Sequence, residues 1–220
     1  MNLIESPDGL ARCAWGATDA LRAYHDDEWG RPVEEEAALL ERLCLEGFQA
    51  GLSWLTILRK RDAFRAGFAA FEPDRLAGFG DGDVTRLLGD VGIVRHRGKV
   101  QAAIQNARAT LELAASGGSL AGLLWSFEPT PPPEAPVALV EVPSSTGPAL
   151  ALSKELRRRG FRFVGPTTVY AAMQAIGIVD DHLLGCHARQ SVEAARAEFV
   201  RPEPLRVPGE RGSPGSPSSG

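Results

Sequence analysis

The sequence predicts an all-α protein, and three observations carry that expectation. Apolar residues recur at three-and-four spacing in six stretches, glycine or proline separates those stretches, and strand signals are nearly absent. The first stretch is "EEEAALLERLCLEG", in which Leu39, Leu40, Leu43 and Cys44 share one helix face. Glu46 follows Leu43 by three, so its side chain is directed along that face, just where Gly47 permits a sharp turn. A carboxylate aimed at a core is costly unless something pairs with it. The alternative is a helix-end Glu that bends back to water or to an Arg.

Gly51-Leu52-Ser53 then leads into "SWLTILRKRDAFRAGFAAF", with Ser53 as the cap. "DVTRLLGDVG", "GKVQAAIQNARATLELAASGG" and "GPALALSKELRRRG" follow, and "TTVYAAMQAIGIVDDHLLGCHA" closes the helical part. "FRFV", Phe161 to Val164, is the sole strand candidate. "EPTPPPEAP" reads as an extended connector between helical halves. From about residue 200 the chain turns to Pro, Gly and Ser, so 200–220 is expected to be disordered.

The 220 residues suffice for one sizeable domain or two intimate subdomains. Apolar residues at 44% and charged residues at 24% are ordinary for a globular protein. No run approaches a membrane span, and the amino end lacks the pattern of a secretory signal. Three cysteines argue for a reducing compartment, taken as the cytoplasm.

A net charge of -4 argues weakly against nucleic acid as a partner, yet the local balance differs. Between Arg86 and Arg108 stand Arg95, Arg97 and Lys99 against Asp90 alone. Lys154, Arg157, Arg158, Arg159 and Arg162 face only Glu155. Two such patches suit a polyanion bound on one face, or are simply wet helix faces.

Cys13 and His25 lie near one end, His182 and Cys186 near the other. Four-residue spacing within "HLLGC" places two soft ligands on one helix face. Two nitrogens and two thiolates form a closed tetrahedral set for zinc, which favours a structural clamp over a catalytic metal. His187 is a competing ligand, and a helical His beside a Cys is often plain core.

"LLGDVGIVRHRGKVQAAI" has two helical stretches joined by a turn between Gly92 and Gly98. Small residues there admit a phosphodiester close to the backbone, and Arg95, Arg97 and Lys99 add charge without base specificity. Trp15, Tyr24, Trp29 and Trp54 all fall in the first quarter of a chain that has only four Trp and two Tyr. Such rings are often core, but they can also sandwich a purine, and here they surround one isolated carboxylate in sequence.

Taken together, "RCAWG", "YHDDEWG", "CLEGFQAGLSW", "GIVRHRGK", "WSF", "LSKELRRRGFRFVGPTT", "MQAIG" and "DDHLLGC" resemble the DNA-3-methyladenine glycosylase I family of helix-hairpin-helix glycosylases, from about Arg12 to Cys186. The resemblance implies release of 3-methyladenine from double-stranded alkylated DNA, leaving an abasic site, in a bacterial repair enzyme acting at the nucleoid. It implies one domain over 10–190, its two subdomains flanking a cleft, with a hairpin-bearing part near 55–125 set between zinc-tied ends. One structural Zn2+ per chain is implied, with Cys13, His25, His182 and Cys186 at the four ligand positions. Glu46 corresponds to the acid that binds the flipped base and is the expected catalytic residue. Tyr24 and Trp54 match pocket aromatics, and Trp15 and Trp29 match its wall. Gly92, Arg95, Arg97, Gly98, Lys99, Gly51 and Leu52 are the expected DNA contacts. Leu21 stands where the family often has a second Tyr, so a hydroxyl contact is expected to be missing. No lyase step is expected, and a monomer is the simplest assembly.

Overall fold

The computed structural model describes residues 3–205. Eleven α-helices carry most of that span, as the periodicity predicts. The strands among the described residues are β1 (Leu3–Glu5) and β2 (Ala11–Cys13), an antiparallel pair with Leu3 opposite Cys13. The expected strand at Phe161 to Val164 does not form. Phe163 sits at φ +56, which breaks an extended run, while Phe161 and Val164 turn into the core.

Helix α1 covers Asp19–Asp27, and α2 covers Glu36–Gln49. The Glu35 side chain caps α2 by accepting from the Ala37 and Ala38 N–H groups. Gly47 does not turn the chain; it lies inside α2, where a Cβ would come within 3.3 Å of Phe163. The turn falls at Gly51, whose φ of +84 favours glycine. Leu39, Leu40, Leu43, Leu45 and Phe48 are fully buried, and α2 packs on the helices that follow it in space.

The long helix expected after Ser53 is broken into α3 (Trp54–Leu58), α4 (Arg61–Gly67) and a left-handed turn at Ala69–Phe71, with φ near 54 to 58. Ring packing dictates the break: Phe68 stacks on Phe71 at 5.5 Å, and Phe48 lies 4.6 Å from Phe64. Ser53 caps α3 as predicted, its hydroxyl accepting from the Thr56 N–H.

Next come α5 (Pro73–Ala77), α6 (Asp81–Gly89), α7 (Arg97–Ala115) and α8 (Leu120–Trp125). The connector runs without regular structure to a 3-10 turn at Leu139–Glu141, after which α9 (Gly147–Arg158) and α10 (Pro166–Ile176) pack together. Gly177, at φ +86, ends α10, so the single helix expected across Thr167–Ala188 splits. Residues 177–186 are irregular, and α11 covers His187–Glu198.

Beyond α11 the expectation of disorder is corrected as far as Leu205. Phe199 packs on Trp125 at 4.5 Å, Arg201 forks onto Glu128, and the Leu205 N–H reaches the Gly122 carbonyl. The remainder of that expectation, 206–220, lies outside the described residues. Among the described residues no helix is long and apolar enough to cross a membrane.

Candidate active site

Helix periodicity and one tight turn assemble the site. Glu46 projects from the last full turn of α2, Tyr24 from α1, and Trp54 from the first residue of α3 beyond the Gly51 turn. Trp15 and Trp29 flank α1 at either end. All five line one hollow of about 320 Å³, completed by Gln49, Leu139, Val142, Ala171, Gln174 and Asp181. The aromatic rings form a continuous wall: Tyr24 lies 5.1 Å from Trp54, and Trp15 is edge-on to Trp29 at 4.9 Å. The concentration of rings in the first quarter of the chain is thus a true spatial cage.

Glu46 is 6% exposed, and nothing among the described residues donates a hydrogen bond to its carboxyl. Burial pushes its pKa up to about 8, while the Arg42 guanidinium one turn earlier pulls the other way. Near neutral pH this favours the protonated acid, and a cation in the hollow would favour the ionised one. Burial, and then Glu46, hold the Tyr24 hydroxyl far above its usual pKa, so it stays a phenol. Leu21, one turn before Tyr24 on α1, is half-buried and is not among the lining residues.

The hollow's back wall touches a second cluster. The ligand atoms of Cys13, His25 and Cys186 all lie within 4.8 Å of one another. The His25 Nε2 is 3.5 Å from the Cys186 Sγ, about the 3.5 Å edge of a tetrahedron built with ordinary zinc–nitrogen and zinc–sulfur bonds. Asp26 engages the His25 Nδ1 at 2.7 Å and is itself forked by the buried Arg12, leaving Nε2 for the cluster. Asp180 does the same for His182, taking its Nδ1 at 2.8 Å. The Cys13 thiol, helped by His25, holds Cys186 well below the usual thiol range. The chemistry of this donor set fits zinc.

Two details of the expectation change. His182 and Cys186 do not share a helix face; their segment is irregular, with Gly185 at φ +90. His182 stands beside the three-residue group, its Nε2 3.3 Å from the His25 carbonyl oxygen. His187, the competing ligand, groups with His25 and Asp26, its Nε2 2.9 Å from Asp26, while the two thiols group with His25 alone. Trp29 is edge-on to His182 at 4.6 Å and Trp15 to His25 at 5.0 Å, so cage and cluster are one packed body.

In the hairpin between α6 and α7, Arg95 and Arg97 are exposed. The Gly92 N–H is taken by Asp90, and a Cβ there would come within 2.8 Å of Ala63. The His96 Nδ1 caps α7 by accepting from the Lys99 N–H. Lys99 itself corrects the sequence reading. It is buried, and its ammonium donates to the Phe48 and Ala50 carbonyls at the end of α2 instead of facing solvent. Gly51 and Leu52 sit in the exposed turn that immediately follows.

The pattern of the methyladenine glycosylase family matches residues 15–190 of this sequence. The chain belongs to that family. It is 49% identical over 179 residues to the DNA-3-methyladenine glycosylase 1 of Escherichia coli (strain K12), spanning 80% of this chain and 96% of that protein. It is 42% identical to the DNA-3-methyladenine glycosylase of Haemophilus influenzae, over 82% of this chain and 98% of the relative. Among solved structures, a 3-methyladenine DNA glycosylase I superposes with a TM-score of 0.77 at 48% identity, covering 80% and 98% of the two chains. The enzyme from Staphylococcus aureus, described as showing the structural basis of 3-methyladenine recognition, superposes with a TM-score of 0.76 at 36% identity, covering 80% and 95%. The family span includes the cage, Glu46 and the hairpin, and stops inside α11.

Gln174 and Asp181 are lining residues that the pocket motifs did not single out. The available signal was chemical: Gln174 and the Asp180–Asp181 pair bracket the apolar run "AIGIV".

Proposed function

We propose that this chain is a base-excision repair glycosylase that hydrolyses the N-glycosidic bond of 3-methyladenine in alkylated double-stranded DNA. The observation that carries this is Glu46, a buried carboxyl without a hydrogen-bond partner among the described residues, inside an aromatic hollow sized for one purine. Methylation at N3 leaves the adenine cationic, so it departs as a neutral base when the C1′–N9 bond breaks. Water adds to C1′, and its proton passes to solvent. The protein need only select and hold the extruded lesion.

Each pocket residue has a role in that selection. Glu46, ionising as the cation enters, accepts from the exocyclic amino edge; a neutral purine leaves it protonated and poorly matched. Trp54 stacks on the electron-poor ring, an arrangement favoured by cation–π attraction. Tyr24 closes the face beside it. Leu21, which does not line the hollow, offers no hydroxyl.

The α6–α7 unit reads as a helix-hairpin-helix: Arg95 and Arg97, with the first-turn N–H groups of α7, hold the backbone phosphates. Gly51 and Leu52 present an exposed turn toward the gap left by the flipped base. Lys99 is bound by two carbonyls and forms no Schiff base, in keeping with a monofunctional enzyme. Cys13, His25, His182 and Cys186 would hold one structural zinc that ties the chain ends together, with no part in the bond cleavage. A single domain over 10–190, with its hairpin part near 55–125, acting as a monomer at the bacterial nucleoid, completes the reading.

Incubation with methylated DNA followed by chromatography of the released bases tests it. Release of 3-methyladenine by the full chain, lost in a Glu46→Ala variant that still folds cooperatively, is the expected result. Full activity in Glu46→Ala, or no release by the parent chain, would overturn it.

A further inference from the structure

We propose that Gln174, its amide fixed by Asp181, is a specificity-determining residue that makes the hollow accept an aminopurine and reject an oxopurine. This rests on the glycosylase reading above and goes beyond Glu46 and the rings.

Asp181 is 5% exposed and lines the hollow. Its Oδ2 accepts two hydrogen bonds, from the Tyr170 hydroxyl at 2.6 Å and from the Gln174 Nε2 at 2.7 Å. A carboxylate that already accepts from a phenol cannot donate to an amide, so Gln174 must turn its NH2 toward Asp181. Its Oε1 is left without a partner among the described residues, on a side chain that lines the hollow. The amide is thereby polarised in one sense only: acceptor toward the ligand, donor toward the protein.

Gln49, also in the wall, provides the contrast. No partner among the described residues fixes its amide, so it can present either end. Glu46, once ionised, is acceptor-only as well. An extruded base thus meets two committed acceptors and one adaptable amide. The exocyclic NH2 of an N3-methylated adenine is a donor and satisfies such a wall. The O6 of an N3-methylated guanine would set oxygen against oxygen, leaving two buried acceptors unpaired, and a site built this way discriminates strongly. The methyl group and the positive charge are common to both lesions, so the cage and the cation response of Glu46 cannot tell them apart. Gln174 can.

The position is also mechanically secure. Gln174 stands near the end of α10, whose last turn is closed by Gly177 in the left-handed conformation, and its own carbonyl accepts from the Gly30 and Gly177 N–H groups. Tyr170, one turn earlier on the same helix, grips the same carboxylate oxygen. Both donors are therefore held by one helix, and the acceptor stands on the segment that Gly177 turns back past it.

The test compares release of 3-methyladenine and 3-methylguanine from one methylated duplex, as the ratio of kcat/KM values for the full chain. Gln174→Met, of similar length and without polar atoms, should lower 3-methyladenine release about tenfold while leaving 3-methylguanine within about twofold. Asp181→Asn should swing the ratio further toward 3-methylguanine, because its amide can donate and lets Gln174 reverse. Since Asp181 precedes His182, melting temperature and bound-metal content are measured for that variant, and the Met variant carries the result if it misfolds. Tyr170→Phe, which leaves the Gln174 bond intact, should keep the parent ratio. An unchanged ratio in Gln174→Met, or an equal loss for both bases, would overturn the assignment while leaving the glycosylase reading in place. Failure of the parent chain to release 3-methyladenine would remove both.

Discussion

Lys99 places its ammonium 2.7 Å from the carbonyl oxygen of Ala50, joining the α6–α7 hairpin to the end of the helix that carries Glu46. The same Nζ reaches the Phe48 carbonyl at 2.9 Å, so one buried cation caps the carboxyl end of α2. Helix α7, which starts in the hairpin turn, and the Gly51–Leu52 turn are fixed relative to each other by a side chain, and not only by packing.

That geometry separates Lys99 from the two arginines beside it. Lys99→Met should cost about 2 kcal/mol of stability, the scale of lost hydrogen bonds to a charged group, and leave the salt dependence of DNA binding unchanged. Arg95→Ala and Arg97→Ala should each reduce the salt slope by about 1 with the melting temperature intact. Denaturant melts and binding at a series of salt concentrations decide between the two behaviours. A shallower slope for Lys99→Met would contradict the inward role.

Glu46 predicts an unusual pH dependence. Its folded pKa of about 8 lies above the ordinary 4.5, so the folded state holds this proton more tightly than the unfolded chain. Stability from this group is therefore fully present below about pH 4.5 and is lost as pH rises toward 8. Glu46→Gln, which cannot ionise, should match the parent near pH 4.5 and exceed it by roughly 3–5 kcal/mol above pH 8. Urea melts at pH 5, 7 and 8.5 would show the gap opening; a constant gap would rule this out.

Activity should move the opposite way. The hollow needs the carboxylate when the cation enters, so kcat/KM on methylated DNA should rise with pH and level off above about 8. Arg42 works against that shift from one turn away, and its guanidinium also donates to the Ala175 carbonyl. Arg42→Met should move the profile to higher pH. A pH-independent kcat/KM in the parent would argue that Glu46 is ionised throughout.

For the cysteine–histidine cluster, purified protein should carry about one zinc per chain by elemental analysis. Cys13→Ser should lose it and lower the melting temperature by about 5 °C or more. His187→Ala should retain the metal, because that ring is engaged with Asp26. Identical melting curves for the parent with and without a strong chelator would count against the clamp.

The chain beyond α11 gives a packing test. A Cβ on Gly122 would collide with the Glu203 carbonyl oxygen and come within 3.0 Å of the Ser119 hydroxyl. Gly122→Ala should therefore cost about 1–3 kcal/mol, despite the better helix propensity of Ala. Loss of the Phe199–Trp125 contact should appear as a change in tryptophan fluorescence.

Much of the fold and the cage was legible because each signal was local. Leucine periodicity gave α2, Ser53 announced its own helix, and four rings crowded near one acid proved to surround it. The errors arose where a long-range contact overrides local pattern. Lys99 stands between basic neighbours in sequence, but two helical positions past Arg97 it faces the opposite way, with Val100, toward α2. "HLLGC" has helical spacing, but the Asp180–His182 contact and the turn at Gly185 take the segment out of a helix. The Phe68–Phe71 stack bent a chain that propensity alone would have kept straight. Gln174 and Asp181 were hidden because they stand seven positions apart across a helix end, and only the return of the chain past Gly177 brings them together.

Because Trp29 leans on His182 and Trp15 on His25, an ion held by the cluster and a base held in the hollow would press on the same rings, and their affinities would be coupled. A purine seated against the indoles should then tighten a bound metal, and stripping that metal should weaken the purine's hold by the same factor.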